Sequence, residues 1–457
     1  MSRVTEAFVE HARSTRWESL PEAARAAVKI FLLDTIGVGI AGSVAPLAQP
    51  IRMVAGAGSL VTGGVARCLG GGMGRPQDVA FVNGFQIHCQ EFDCVHEPAV
   101  VHPMATILAA LLAECDAQGC VSGPELGAAI SVAVDLATGL GVAAKSPIRF
   151  FRPATAGIFG ATLGVAKLKG MEADEMANAL GYALAFASGT MQAHAEGKPA
   201  LPVQIANAAS GAVRAAELAQ HGVEGPQASL DGPFGYLTLF EEVSDLEPVL
   251  AGLGRVHRIT EVSHKPFPTG RAAQGGIVLM QRMRRHGVAA DEIESLQLLA
   301  PPLIRRLVGR PLKPGMDANY ARLCFQYSGA VAYLRGAVGL SDFTPDRFAD
   351  ADIFALGRRI QVLDDGDPDP AAFTPQTLHL RRKNGADIVE TIDTLFGSPA
   401  DPLSPDENQA KFRNCVAQRW TGARGELIFE RLVSAVSALE TLEDARTLTR
   451  LASGETE

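Results

Sequence analysis

Apolar residues recur at helical spacing over most of the first half of the chain. Between 21 and 42 the positions Val28, Phe31, Leu32 and Ile36 fall on one stripe, and Pro21 suits the first turn of a helix. The same spacing predicts helices over 79–88, 104–115, 124–144, 156–169, 173–189 and 204–221, with Gly119, Gly170 and Gly222 placed to end three of them. Alanine and glycine dominate these segments, so their helices can approach closely, as a large all-α bundle requires. Asp34 sits inside the first apolar run and reads as a buried carboxylate with a partner.

The pattern changes after about Arg258. Short strands are predicted at 293–299 and 360–364, and at 374–382 and 386–395, where the last two flank Asn384-Gly385, a strong hairpin signal. Helices at 271–286, 319–339 and 345–356 lie among them, which makes an α+β unit of ordinary domain size. From Pro405 the spacing is helical again, over 407–420 and 427–438. The expected fold is therefore mainly α: a discontinuous all-helical domain over 1–262 and 399–457, interrupted by a smaller α+β domain at 263–398. A cleft between the two is the natural place for a site.

Composition narrows the function. A net charge of -9 without a Lys/Arg run argues against a nucleic-acid partner. Seven cysteines, an odd number, fit free thiols of a reducing compartment, and neither Cys89/Cys94 nor Cys115/Cys120 has C-x-x-C spacing. The N-terminus shows no apolar signal region. The longest uncharged run, 176–195, carries Asn178, Ser188, Thr190, Gln192 and His194, which argues against lipid. A soluble cytoplasmic protein without a membrane partner is expected.

Titratable groups gather in one stretch, N-G-F-Q-I-H-C-Q-E-F-D-C-V-H-E-P-A-V-V-H-P at 83–103. It holds three of the ten histidines (His88, His96, His102), Cys89 and Cys94, and the carboxylates Glu91, Asp93 and Glu97. Such groups are costly to bury, so their clustering beside a core points to an active site; a polar loop with satisfied histidines is the structural alternative. No His-x-x-x-His or close cysteine pair supports a metal, and none is expected. The glycine-rich run 56–74 contains no G-x-G-x-x-G between strand and helix, G-L-G-V-A-A-K-S at 139–146 lacks the second P-loop glycine, and no G-x-S-x-G elbow occurs.

Four further segments carry unexpected polar chemistry: Arg149-Phe-Phe-Arg152-Pro-Ala-Thr155, Gln192-Ala-His194-Ala-Glu196-Gly-Lys198, Ser263-His-Lys265-Pro-Phe-Pro-Thr-Gly-Arg271 and Phe325-Gln-Tyr327. Taken singly, each has a structural reading: Lys198 and Lys265 as solvated side chains, Tyr327 as core. Together, Arg152, Lys198, Lys265 and Arg271 offer cations in an acidic protein, as a di- or tricarboxylate pocket requires.

With these segments in view, nearly the whole chain resembles the MmgE/PrpD family. The resemblance is carried by F-L-L-D-T-I-G-V-G-I-A-G at 31–42, V-N-G-F-Q-I-H and E-F-D-C with H-P at 82–103, and R-P-A-T-A-G-I-F-G-A at 152–161. It continues through D-G-P-F-G-Y at 231–236, H-K-P-F-P-T-G-R at 264–271 and F-Q-Y at 325–327. It implies a helical domain with an α+β lid, a homodimer, and chemistry on small polycarboxylates without metal or cofactor. By position, His102 matches the family's histidine of the H-P pair and is the expected general acid/base. Asp93 would orient a histidine or bind a substrate hydroxyl, with Glu91 on the same acidic segment. Arg152, Lys265 and Arg271 would clamp carboxylates, Gln192 would bind substrate, Tyr327 would protonate a leaving hydroxyl or hydrogen-bond the substrate, and Lys198 is a second acid/base candidate. The chain departs from the family at Arg152, where a histidine is common, and at Leu201 and Gln204, where an ungapped match puts a lysine and a histidine. Gln274 likewise stands where a lid histidine is common. The reaction expected first is dehydration of a small hydroxy polycarboxylate. The alternatives are decarboxylation or epimerisation on the same scaffold, and a homologue that only binds carboxylates.

Overall fold

The structure, a computed structural model, describes residues 1–56, 64–369 and 371–455. Part of the glycine-rich run 56–74, namely 57–63, lies outside the described residues. Helices dominate and a small sheet accompanies them. The helix Glu22–Gly42 crosses Pro76–His88 where a Cβ on Gly42 would stand 1.8 Å from the Gln86 carbonyl oxygen, so only glycine admits the contact. Gly160 does the same on Gly157–Leu168, where a Cβ would lie 2.2 Å from the Ala133 carbonyl of Gly123–Ala143. The latter helix is the one described helix long and apolar enough to cross a membrane, and it is almost wholly enclosed by its neighbours.

Apolar side chains gather in two main clusters. The first draws on Phe8, Leu32, Leu108, Ile130, Phe159 and Ile205, and also on Phe412, Val416, Ile428 and Leu448 from the C-terminal helices Pro405–Arg419, Gly422–Ser437 and Arg446–Ser453. Each fully buried leucine or isoleucine here contributes about 1.5–3 kcal/mol. Lys411 crosses the packing to reach Asp34 at 2.7 Å, which gives the buried carboxylate its expected partner.

The second cluster lies between 267 and 395, joined by Ile148. After a two-residue pair β1 (Ala66–Arg67) and β2 (Met73–Gly74), the main sheet comprises β3 (Ile293–Ala300), β4 (Ile360–Asp364), β5 (Gln376–Arg382) and β6 (Asp387–Ile392), in the order β4-β3-β5-β6. β3 runs parallel to β4, with Leu298 opposite Val362, and antiparallel to β5, with Leu296 opposite Leu380. The hairpin at Asn384-Gly385 forms as expected, with Gly385 at φ +86. Helices Arg271–Arg285 and Phe325–Arg335 pack their apolar faces with the sheet in this cluster.

Boundaries moved where backbone geometry overrode periodicity. The helix expected over 173–189 stops at Phe186, because Gly189 turns to φ +124 and the chain pairs Thr190 with Phe150. The helix expected over 319–339 divides into Ala318–Arg322 and Phe325–Arg335, since Cys324 is extended and bridges Gly309, and Gly336 caps the second piece. The one expected over 345–356 becomes a short turn and Ala351–Gly357, N-capped by Asp350.

Candidate active site

The helix Pro76–His88 delivers His88 to the end of an apolar face, and the chain then loops through 89–102 before His102 caps Pro103–Gln118, whose Pro103 occupies the first turn. A β-bridge of Val95 with Ser263 holds the loop against the segment that carries Lys265, and a second, His96 with Val101, closes the loop on itself. Glu91 (φ 51) and Val100 (φ 52) adopt the left-handed conformation without being glycine. Such strain costs on the order of 1–3 kcal/mol and persists only where surrounding contacts fix it. Here it turns the Glu91 carboxylate onto Lys265 Nζ, 2.8 Å away.

Asp93 is fully buried at the centre. Its Oδ2 accepts from His88 Nδ1 at 3.0 Å and from His102 Nδ1 at 3.0 Å, while Lys265 Nζ lies 3.8 Å from its Oδ1. The two imidazoles meet edge to face, centroids 4.9 Å apart. Because Nδ1 of His102 is committed to the carboxylate, a neutral ring leaves Nε2 as its free base.

The surroundings divide the two histidines. Burial, then the Lys265 ammonium, lowers His102 below its ordinary value against the pull of Asp93. Burial acts on His88 in the same direction, but the carboxylates of Asp93 and Glu91 outweigh it and raise that ring. Burial would raise Asp93, yet His88, His102 and Lys265 hold it well below the usual carboxylate range. Glu91, likewise pushed up by burial, is brought down to about 2 by Lys265 and His88. One carboxylate thus bridges a ring whose surroundings favour the proton and a ring whose surroundings disfavour it, an arrangement suited to moving protons.

Glu91, His102, Arg152 and Arg271 line one cavity of about 60 Å³ together with apolar Val100, Phe151 and Leu323. Small-molecule sites run to several hundred Å³, so this cavity as it stands is too small to enclose a polycarboxylate. The cations already have partners inside the chain. Arg152 donates Nε and Nη2 to Glu241, each at 2.8 Å, and Nη2 also to the Ser146 carbonyl. Arg271 donates Nε to Glu97 and Nη1 to the His264 and Phe396 carbonyls and to Gln274 Oε1. Its buried Nη2 has no hydrogen-bond partner among the described residues.

Three expected residues stand elsewhere. Tyr327 is fully buried in the sheet cluster, donates its hydroxyl to the Asp342 carbonyl at 2.5 Å and packs on Phe343 and Phe348. Lys198 is exposed and does not line the cavity. Gln192 is exposed and bonded to Glu196 on its own short helix, Gln192–Glu196. The neighbouring His194 does line the cavity, brought down to about 4 by burial and by Arg310. Leu201 is a core residue, and Gln204 accepts from the Thr190 amide at 2.7 Å, so both positions have structural work. Sequence reasoning gave His88 no role, although its place in the same short stretch signalled one. Nothing local signalled Glu241.

His88, Asp93 and His102 place ligand-type atoms within 4.8 Å of one another, the donor set of a small metal site. Lys265, 3.8 Å from the same carboxylate, supplies a positive charge there, and a divalent cation would be repelled by it.

Residues 6–248 match the model of the MmgE/PrpD N-terminal domain and residues 267–434 that of the MmgE/PrpD C-terminal domain. Among curated proteins, the chain is 26% identical to mouse (Mus musculus) cis-aconitate decarboxylase, over 99% of this chain and 94% of that protein. It is 25% identical to the human (Homo sapiens) protein of the same name, over 99% and 95%. The cis-aconitate decarboxylase-like protein oryM of Aspergillus oryzae is 26% identical, over 93% and 92%. With both family domains matched in order across most of its length, the chain belongs to the MmgE/PrpD family.

Proposed function

We propose that the protein is a lyase that removes CO2 from a small unsaturated polycarboxylate of the cis-aconitate kind, at the seam lined by His102, Arg152 and Arg271. The observation that carries the reading is the carboxylate of Asp93 shared by His88 and His102 beside the Lys265 ammonium. In such a reaction the bond to the departing carboxylate breaks, and its electron pair passes to carbon conjugated with a remaining carboxylate. That carbon then takes a proton. Lys265 offsets the charge that develops, the His88–Asp93–His102 array supplies the proton, and Arg271 Nη2 offers a donor to a remaining carboxylate. The names of the mouse and human relatives support decarboxylation.

Dehydration of a hydroxy acid is the second reading. What favours it is the lowered His102, which is neutral at neutral pH and so suited to abstract a proton beside a carboxylate. The experiment is NMR of the purified protein with cis-aconitate, citrate and 2-methylcitrate in D2O. CO2 loss with deuterium in the product supports the first reading, and loss of water from a hydroxy acid the second. Stereochemical scrambling without either would indicate an epimerase, and binding without any product a carboxylate-binding homologue. We further propose that the two clusters correspond to a discontinuous helical domain and an inserted lid, and that the protein works as a cytoplasmic homodimer.

A further inference from the structure

We infer that the seam holds a second binding site, built around Arg322, that takes a small monocarboxylate with an apolar body. A cavity of about 620 Å³ opens on the far side of residues 89–91 from the His102 cavity: Cys89 lines the one and Glu91 the other. Its volume is that of a small-molecule site. Most of its wall is apolar, with Leu47 and Phe85 on one side and Met316, Phe343 and Phe348 on the other.

Arg322 is the exception. It is only 5% exposed, yet it has no carboxylate within ion-pair distance among the described residues. Its Nη1 makes one long bond, 3.4 Å, to the Cys89 carbonyl, its Nε has no partner, and the guanidinium lies over the Phe343 ring at 5.0 Å. Lys265, Arg152 and Arg271 each have a carboxylate, so this unpaired cation departs from how the seam treats its other buried charges. A buried guanidinium left without a counter-charge is costly, and its planar fork matches a carboxylate.

The charges that face it fix the valence of the occupant. Glu91 is committed to Lys265. Asp317 stands exposed on the lining and caps the Tyr320 amide with Oδ1. One cation opposed by one rim carboxylate favours a monoanion over a di- or trianion, and the aromatic wall favours an apolar remainder. The substrate proposed above has the opposite character, so the two sites take different ligands.

The test is calorimetric titration of hexanoate and of phenylacetate into the wild-type protein and three variants. Arg322→Met removes the charge at similar length. Ala349→Trp blocks the cavity from an exposed position on its lining. Arg271→Gln alters the His102 cavity instead. Saturable binding to wild type, about tenfold weaker or worse in Arg322→Met and Ala349→Trp and unchanged in Arg271→Gln, is the expected result. Absence of saturable binding to wild type overturns the inference, as does binding lost in Arg271→Gln but kept in Arg322→Met. If Arg322→Met does not fold, Ala349→Trp decides: unaltered binding there also overturns it. The readout is binding of monocarboxylates alone, so the outcome is independent of which reaction the His102 site performs.

Discussion

Replacing Asp93 by asparagine keeps the shape of the side chain and removes what both histidines share. The carboxylate accepts from His88 Nδ1 and His102 Nδ1 at 3.0 Å each. Both rings bond the same oxygen, Oδ2, so an amide oxygen there can still accept from both. What is lost is the charge, and the amide NH2 then stands at the Oδ1 position, 3.2 Å from His88 Nδ1 and 3.8 Å from Lys265 Nζ. Positioned acid/base catalysis is worth roughly 10²–10⁴ in rate, and that range is the expected fall in kcat, about 3–5 kcal/mol in the barrier. Removing one member of a buried ionic group costs about 3–5 kcal/mol in stability. Lys265 keeps Glu91 at 2.8 Å, which places the loss at the lower end. The pH profile gives an independent reading. Asp93 pulls His102 upward against burial and Lys265, so without it the acid limb of kcat/KM moves to lower pH. Steady-state turnover of whichever acid the NMR survey identifies, measured across pH with circular dichroism as a check on folding, tests all of this. A folded Asp93→Asn protein with kcat within about threefold of wild type would refute the shared-carboxylate mechanism.

Three further expectations concern the supporting structure. Arg152→Met leaves Glu241 buried without its partner and should cost about 3–5 kcal/mol in urea unfolding, with much of the loss recovered in the Arg152→Met/Glu241→Gln double variant. Tyr327→Phe removes only the bond to the Asp342 carbonyl, so it should cost about 1 kcal/mol in stability and leave turnover intact; a large fall in kcat would return the tyrosine to the site. His194 and His264 are each lowered to about 4, first by burial. The unfolded chain therefore binds protons before the folded one, and stability should fall as pH drops from about 6.5 to about 4, by roughly 3 kcal/mol for each ring. His264→Gln should flatten part of that slope in urea titrations at pH 7 and pH 4.5.

The helices, the hairpin at Asn384-Gly385 and the gathering of Glu91, Asp93 and His102 were all legible along the chain, because each depends on neighbours close in sequence. Periodicity sets which face of a helix is apolar, glycine marks where it stops, and three acid/base groups within one turn-rich stretch stay near one another however the rest packs. The partners of the buried charges were not legible. Arg152 reads as a free cation until the fold brings Glu241 to it, and Arg271 until Glu97 closes on its Nε. Phe325-Gln-Tyr327 is a motif in the sequence, but only the packing of its helix against 342–348 decides that the tyrosine faces Asp342 and not the cavity. The reason is electrostatic as well as geometric. A buried charge takes its protonation and availability from groups within a few ångströms, and those groups arrive from distant segments once the tertiary structure has formed.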